Sequence, residues 1–173
     1  MTSPAGLTSV RIAQLVGIGA SGYLAGFMSS SSLVSIPPLS LAPPALAARQ
    51  FATLYRTGAR IAPATAVLAA LAHLYLAYQS AAASPREGYA YLAAGVLTLS
   101  VVPYTLVSMM PTNKALLAVA ESEGVGKDAA GDSADEARVV SLLWKWRGLN
   151  LVRSFGPAAG FLVGLLALGG YFA

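Results

Sequence analysis

The sequence predicts an all-α fold, an integral membrane four-helix bundle with an amphipathic cytoplasmic helix ahead of the fourth span. Three observations carry this. Residues 12–48, 61–85, 88–113 and 154–173 hold no charged side chain, and each stretch can supply the roughly 20 apolar residues that cross a bilayer. Hydrophobic residues make up 56% of the chain and charged residues 10%, where soluble domains carry about a quarter charged residues. A soluble fold of this length would lack the charge to cover its surface. The 173 residues read as one membrane domain, 1–173, with no room for a second globular unit.

Composition also excludes chemistry. The chain has no cysteine, so disulfides, thiolate catalysis and cysteine-based zinc or iron–sulfur sites are out. Its formal net charge is +4, but the basic residues flank apolar stretches. Lipid headgroups are therefore their expected partners, not nucleic acid.

The first span is expected from Ile12 to Ile36. Arg11 ahead of an apolar run resembles a signal peptide, but the run stays uncharged as far as Arg49, which marks a retained span. Ala13, Gly17, Ser21, Ala25 and Ser29 recur every four residues on one face, and such small faces let helices approach closely in lipid. The Ser29–Ser32 run also suits a polar cavity wall. Pro37-Pro38 ends the span because proline lacks the helical amide. Residues 37–60 are expected as a Pro/Arg-rich loop.

Span two follows from Ile61 to Gln79, with Pro63 tolerated in its first turn. The turn Ser84–Gly88 leads into span three, Tyr89 to Met110, where Pro103 frees the Leu99 carbonyl and marks a kink. The polar region 111–148 is the expected cytoplasmic loop, mobile between Glu121 and Ser133. Ser133 and Glu136 then form a capping box. Val139, Leu142, Leu143 and Trp146 follow at helical spacing, an interfacial amphipathic face that leads into span four, 149–171. Gly156, Gly160 and Gly164 permit a homodimer, and they serve packing within the chain equally well. Pro157 bends the start of that span.

With four spans, one side of the membrane holds Arg11 and Arg86. The other holds nine basic residues: Arg49, Arg56, Arg60, Lys114, Lys127, Arg138, Lys145, Arg147 and Arg153. The positive-inside rule places the larger loops in the cytoplasm and both termini in the lumen or exterior.

No dinucleotide, P-loop, nucleophile-elbow or HExxH motif is present. One histidine, no cysteine and no acid within any span argue against haem, zinc or di-iron sites, which need several ligands in register. His73 lies mid-span, where an ionisable group needs a partner or a wet cavity. It reads either as a proton acceptor or as a neutral histidine bonded to a neighbouring helix. Thr105, Met109 and Thr112 share a helical face beside Tyr104 and Asn113, while Trp146, Asn150, Arg153 and Pro157 form one stripe. An inward Arg and Asn could hold an oxyanion. The alternative is that Arg147 and Arg153 snorkel to headgroups while Asn113 caps a helix end.

These two segments, Pro103–Leu117 and Trp146–Pro157, resemble the anthrone oxygenase-like family of small four-span membrane proteins. The first carries a Pro-x-Thr…Met-Pro-Thr-Asn-x-x-Leu pattern and the second Trp-x-x-x-Asn-x-x-Arg. The resemblance implies oxidation of polyketide anthrones, such as emodin anthrone, to anthraquinones by dioxygen, with no metal, flavin or haem cofactor. His73 would then be the base, and Asn150, Arg153 and Asn113 the oxyanion donors. Tyr104 and Trp146 would be ring-stacking walls, with Thr105 and Met109 beside them. The competing reading is a non-catalytic scaffold or a protein that binds lipid or another hydrophobic ligand.

Overall fold

A computed structural model describes residues 8–122 and 133–172, and it is helical with no strand among them. Four helices are long and apolar enough to cross a membrane. We label them α1 (Ser9–Leu39), α2 (Pro44–Ser80), α3 (Pro85–Glu121) and α4 (Ser133–Leu168). The chain is thus the all-helical, four-span type that its uncharged stretches predict.

Two boundaries differ from expectation, both at prolines. Pro37-Pro38 does not end α1, which continues to Leu39 through a π turn at Ser31–Ser35. A second π turn, Thr105–Met109, interrupts α3, and its closing Met110 N–H donates to the Thr105 carbonyl five residues back. Each π turn contains the carbonyl four residues before a proline: Leu33 before Pro37, and Val107 before Pro111. Proline cannot donate to that carbonyl and its ring collides with it. A turn widened by one residue lets the helix go on. At Pro103 the α pattern breaks at Ser100, whose Oγ donates to the Leu97 carbonyl at 2.6 Å.

The expected loop 37–60 is mostly helix. Pro44 opens α2 where its missing amide costs nothing. The alanine-rich start favours helix, with the Ala47 N–H donating to the Pro43 carbonyl at 2.9 Å. One face buries Ala47, Ala48 and Phe51, while Arg49, Arg56 and Arg60 stay exposed. Pro63 therefore sits inside a helix and not at its start. The interfacial helix and span four are a single α4. The mobile loop expected between Glu121 and Ser133, and the Ser133 capping side chain, lie outside the described residues.

The fold resolves into two compact units, each drawing on all four helices. Unit 1 comprises 8–25, 64–101 and 155–172. Its apolar cluster is Ala13, Leu76, Ala90, Tyr91 and Ala167, and its helices close on one another through glycine. A Cβ on Gly160 would meet the Thr98 hydroxyl and lie 2.7 Å from the Ala94 carbonyl oxygen of α3. On Gly156 it would lie 2.8 Å from the Leu97 carbonyl oxygen. The α4 glycines are thus used within the chain. The four-residue ladder of α1 is buried at Ala13, Gly17 and Ser21 but only half-buried at Ala25 and Ser29. A period of four drifts round a 3.6-residue helix, and Leu24 and Met28 take over the inward positions.

Unit 2 comprises 26–63, 102–122 and 133–154. Its core gathers Ile36, Ala47, Phe51, Met109, Leu116, Val139, Leu143 and Trp146. The predicted amphipathic face of α4 is therefore the face that packs, with Leu142 half-buried at its border.

Gly160→Ala should lower stability by about 1–3 kcal/mol, because a backbone oxygen cannot move aside for a methyl group. Gly19→Ala, with nothing within 4 Å of its Cβ position, should be neutral or slightly stabilising. Thermal unfolding midpoints in one detergent compare the two.

Candidate functional site

The predicted α4 stripe supplies the centre of unit 2. Asn150 is fully buried. Its Nδ2 donates to the Met28 carbonyl at 2.8 Å and to Ser32 Oγ at 2.7 Å. Both amide protons are used, so Oδ1 is the acceptor and takes a hydrogen bond from Arg153 Nη2. Arg153 Nη1 donates to Thr105 Oγ1 at 2.8 Å. Ser32 lies in the π turn of α1 and Thr105 in that of α3. The two local widenings therefore present the acceptors that hold the Asn–Arg pair, and π turns recur at functional sites. One turn further along α4, Ser154 Oγ receives a hydrogen bond from Ser29 at 3.2 Å, so the polar seam continues.

Arg153 is held within unit 2 by these bonds, and its Nε is buried with no hydrogen-bond partner. No carboxylate pairs with it among the described residues. A partly buried guanidinium with a spare donor and no counter-charge is an anion-receptive group. Arg147 Nε is likewise buried without a hydrogen-bond partner, but its guanidinium lies 5.0 Å above the Trp144 ring and makes no bond to Asn150 or Thr105. Tyr55 packs half-buried against the core that holds Trp146.

The remaining candidates divide. Asn113 and Trp146 are brought together as a pair, the indole Nε1 donating to Asn113 Oδ1 at 2.8 Å. Trp146 meets Phe51 edge-on, with centroids 5.3 Å apart. Both are almost fully buried, which makes them a brace between α3 and α4 behind the Arg153 network. Met109 is buried in the same core, and Tyr104 packs against it half-buried.

His73 belongs to unit 1 and is fully buried. Ser21 Oγ donates to the Gly17 carbonyl at 2.8 Å. Its oxygen lies 3.2 Å from His73 Nε2 and accepts from it in the tautomer that carries the ring proton on Nε2. Thr98 Oγ1 lies 3.0 Å from Ser21, and Tyr91 stacks on the imidazole at 6.2 Å. Nδ1 has no hydrogen-bond partner. Gly17 of α1, Gly95 of α3 and Gly164 of α4 all abut the residue. Asn113, Asn150 and Arg153 are not among its hydrogen-bond partners.

Several participants escape sequence reasoning. Tyr55 and Phe51 fall in a stretch whose prolines suggest a loop. Their signal is Ala47, Ala48, Phe51 and Tyr55, one face of a helix. Ser32 carries a weaker signal within its serine run. Nothing local marks the Met28 carbonyl as an acceptor.

The anthrone oxygenase family model matches residues 51–163. An anthrone oxygenase of Claviceps purpurea is 35% identical, covering 89% of this chain and 87% of its own length. One of Paecilomyces divaricatus is 29% identical over 91% of this chain and 96% of its own. A noranthrone monooxygenase of Aspergillus flavus is 30% identical over 91% and 73%. No solved structure matches. With four apolar helices, the paired motif segments, and relatives matched over most of both chains, this protein belongs to the anthrone oxygenase family.

Proposed function

We propose that the chain is a membrane oxygenase that converts a polyketide anthrone to its anthraquinone with dioxygen, using no metal, flavin or haem. The observation that carries this is Arg153, charged, partly buried, unpaired with any described carboxylate, and left with a buried free Nε. Its other nitrogens are fixed by Asn150 and Thr105, so the free donor is pre-oriented. The names of the relatives support the substrate class.

The chemistry asks little more of the protein. Loss of a proton from C10 of an anthrone gives an aromatic anthrolate whose negative charge sits on the ring oxygen. A guanidinium beside that oxygen favours the charged form. The anion passes one electron to dioxygen, and recombination of the radical pair forms the C10–O bond. Protonation gives a C10 hydroperoxide. Removal of the second C10 proton breaks the O–O bond and leaves the carbonyl. One dioxygen is consumed and one water released.

His73 is the proposed base, on the strength of a bare Nδ1 with no hydrogen-bond partner. Its remaining contacts also suit a residue that locks helices together. A His73→Gln variant separates the two roles, because the amide keeps a hydrogen-bond donor for Ser21 but cannot serve as a base.

In detergent, with emodin anthrone under air, quinone absorbance should rise faster than autoxidation. Arg153→Ala should cut the enzymatic rate by about 10²–10³-fold, the usual loss for one oxyanion donor. Arg153→Lys should rescue little, since an ammonium cannot hold Thr105 and Asn150 in the same fork. If folded wild-type protein matches autoxidation, this anthrone is not its substrate. A folded His73→Gln variant with full rate would move the base elsewhere.

We also propose that the connections after α1 and α3 face the cytoplasm, as the basic residues suggest. The chain has no cysteine, so single cysteines report topology cleanly. In sealed microsomes, whose outer face is cytoplasmic, Leu41→Cys should label with an impermeant maleimide. Ala82→Cys should label only after detergent is added.

A further inference from the structure

The part of α2 that lies in unit 2 has two unlike faces. Ala47, Ala48, Phe51 and Ala52 are buried on one. On the other, Arg49, Thr53, Arg56 and Arg60 are exposed. Arg56 and Arg60 are the only two basic residues in the chain three or four positions apart. Side chains at that spacing are neighbours on a helix surface, about 6 Å apart along the axis, and like charges there repel. No acidic residue precedes Glu87, so neither α1 nor α2 carries a charge that offsets the pair. No carboxylate pairs with either arginine among the described residues. Arg49 stands apart, because its Nε donates to the Ala45 carbonyl of its own helix at 3.3 Å.

Position along the helix decides which anion the pair can meet. Residues 61–85 are uncharged, so Arg60 is the last formal charge of α2 before the hydrocarbon. The headgroup layer beside that core is roughly 5–8 Å deep, a depth that the step from Arg60 to Arg56 matches. Arg49 lies about 16 Å from Arg60 along the axis, beyond the layer. Helical side chains lean toward the N-terminus, which in α2 is the end away from the uncharged stretch. Both guanidiniums therefore tilt out of the hydrocarbon and into the headgroups. We propose that Arg56 and Arg60 form a two-arginine clamp for the phosphate of an anionic phospholipid. Each guanidinium presents a fork of donors that matches phosphate oxygens. A net negative headgroup offsets the repulsion of the pair, whereas a zwitterionic one brings a cation of its own. The inference is independent of the oxygenase reading.

Ala59 is exposed beside the pair and the chain has no cysteine, so Ala59→Cys carries a fluorophore at a single position. In phosphatidylcholine vesicles, a nitroxide near the headgroup is placed either on phosphatidylserine or on added phosphatidylcholine, and quenching is read against mole fraction. The labelled protein should prefer phosphatidylserine by about tenfold or more. Arg56→Gln and Arg60→Gln should each lower that preference about fivefold, the enrichment that one basic side chain gives at an anionic surface. Arg49→Gln removes the same charge and should leave the preference nearly unchanged. All three variants should unfold at the midpoint of the labelled parent, since each side chain is exposed. Equal quenching by the two lipids overturns the clamp. So does a preference that falls as far in Arg49→Gln, which makes the attraction one of diffuse charge. Loss of the preference when inorganic phosphate replaces chloride at equal ionic strength assigns the pair to free phosphate instead. Displacement of the nitroxide lipid by soluble polyglutamate assigns it to an acidic protein.

Discussion

An arginine side chain inside a nearly uncharged helical protein must be held by neutral acceptors, and most of unit 2 can be read from how that is done. Arg153 receives a carbonyl oxygen from Asn150 and a hydroxyl from Thr105. Asn150 in turn is held by a backbone carbonyl and a serine of α1. A regular α-helix ties its carbonyls and folds back its hydroxyls along its own axis. The π turns of α1 and α3 supply the departures from regularity, and the prolines behind them make those turns the easier path for the chain. Backbone chemistry at Pro37 and Pro111 is thereby connected to electrostatics at Arg153.

Unit 1 is built on a different economy of space. Its helices approach until the carbonyls of α3 lie against glycines of α4. Such closeness replaces the hydrophobic driving force that is missing between helices in lipid. The one histidine sits where glycines of the other three helices abut it. Ser21 stands within hydrogen-bond distance of the imidazole, the Gly17 carbonyl and Thr98. Ser21, Thr98 and His73 Nε2 bond to one another or to helix carbonyls, as burial in an apolar medium requires, and His73 Nδ1 is the exception.

Particular residues show how far local pattern reached. The four spans, the stripe of Trp146, Asn150 and Arg153, and the seamless passage from interfacial helix to fourth span follow from charge absence and 3.6-residue spacing, and the structure contains them. The Pro/Arg-rich segment before span two misled, because proline is read as a breaker while its tolerance at the first helical position, or after a widened turn, depends on register a few residues away. Tyr55 was hidden by that error. Asn113 and Trp146, which look alike as site residues, turn out to satisfy each other. Only the partner decides whether a buried donor is still available for a ligand.

By itself, the amino-acid order determined the class of environment, the number of spans, and which face of each helix carries polar groups. Those properties depend on hydropathy and helical period, which are local. Tertiary structure alone decided that Asn150 meets Ser32 and the Met28 carbonyl more than a hundred residues earlier, that the glycines of α4 pack within the chain, and that Arg153 keeps one donor unsatisfied. The reason is physical: hydrogen-bond satisfaction and steric fit belong to pairs of groups distant in sequence, and no single-helix pattern encodes which pairs will meet.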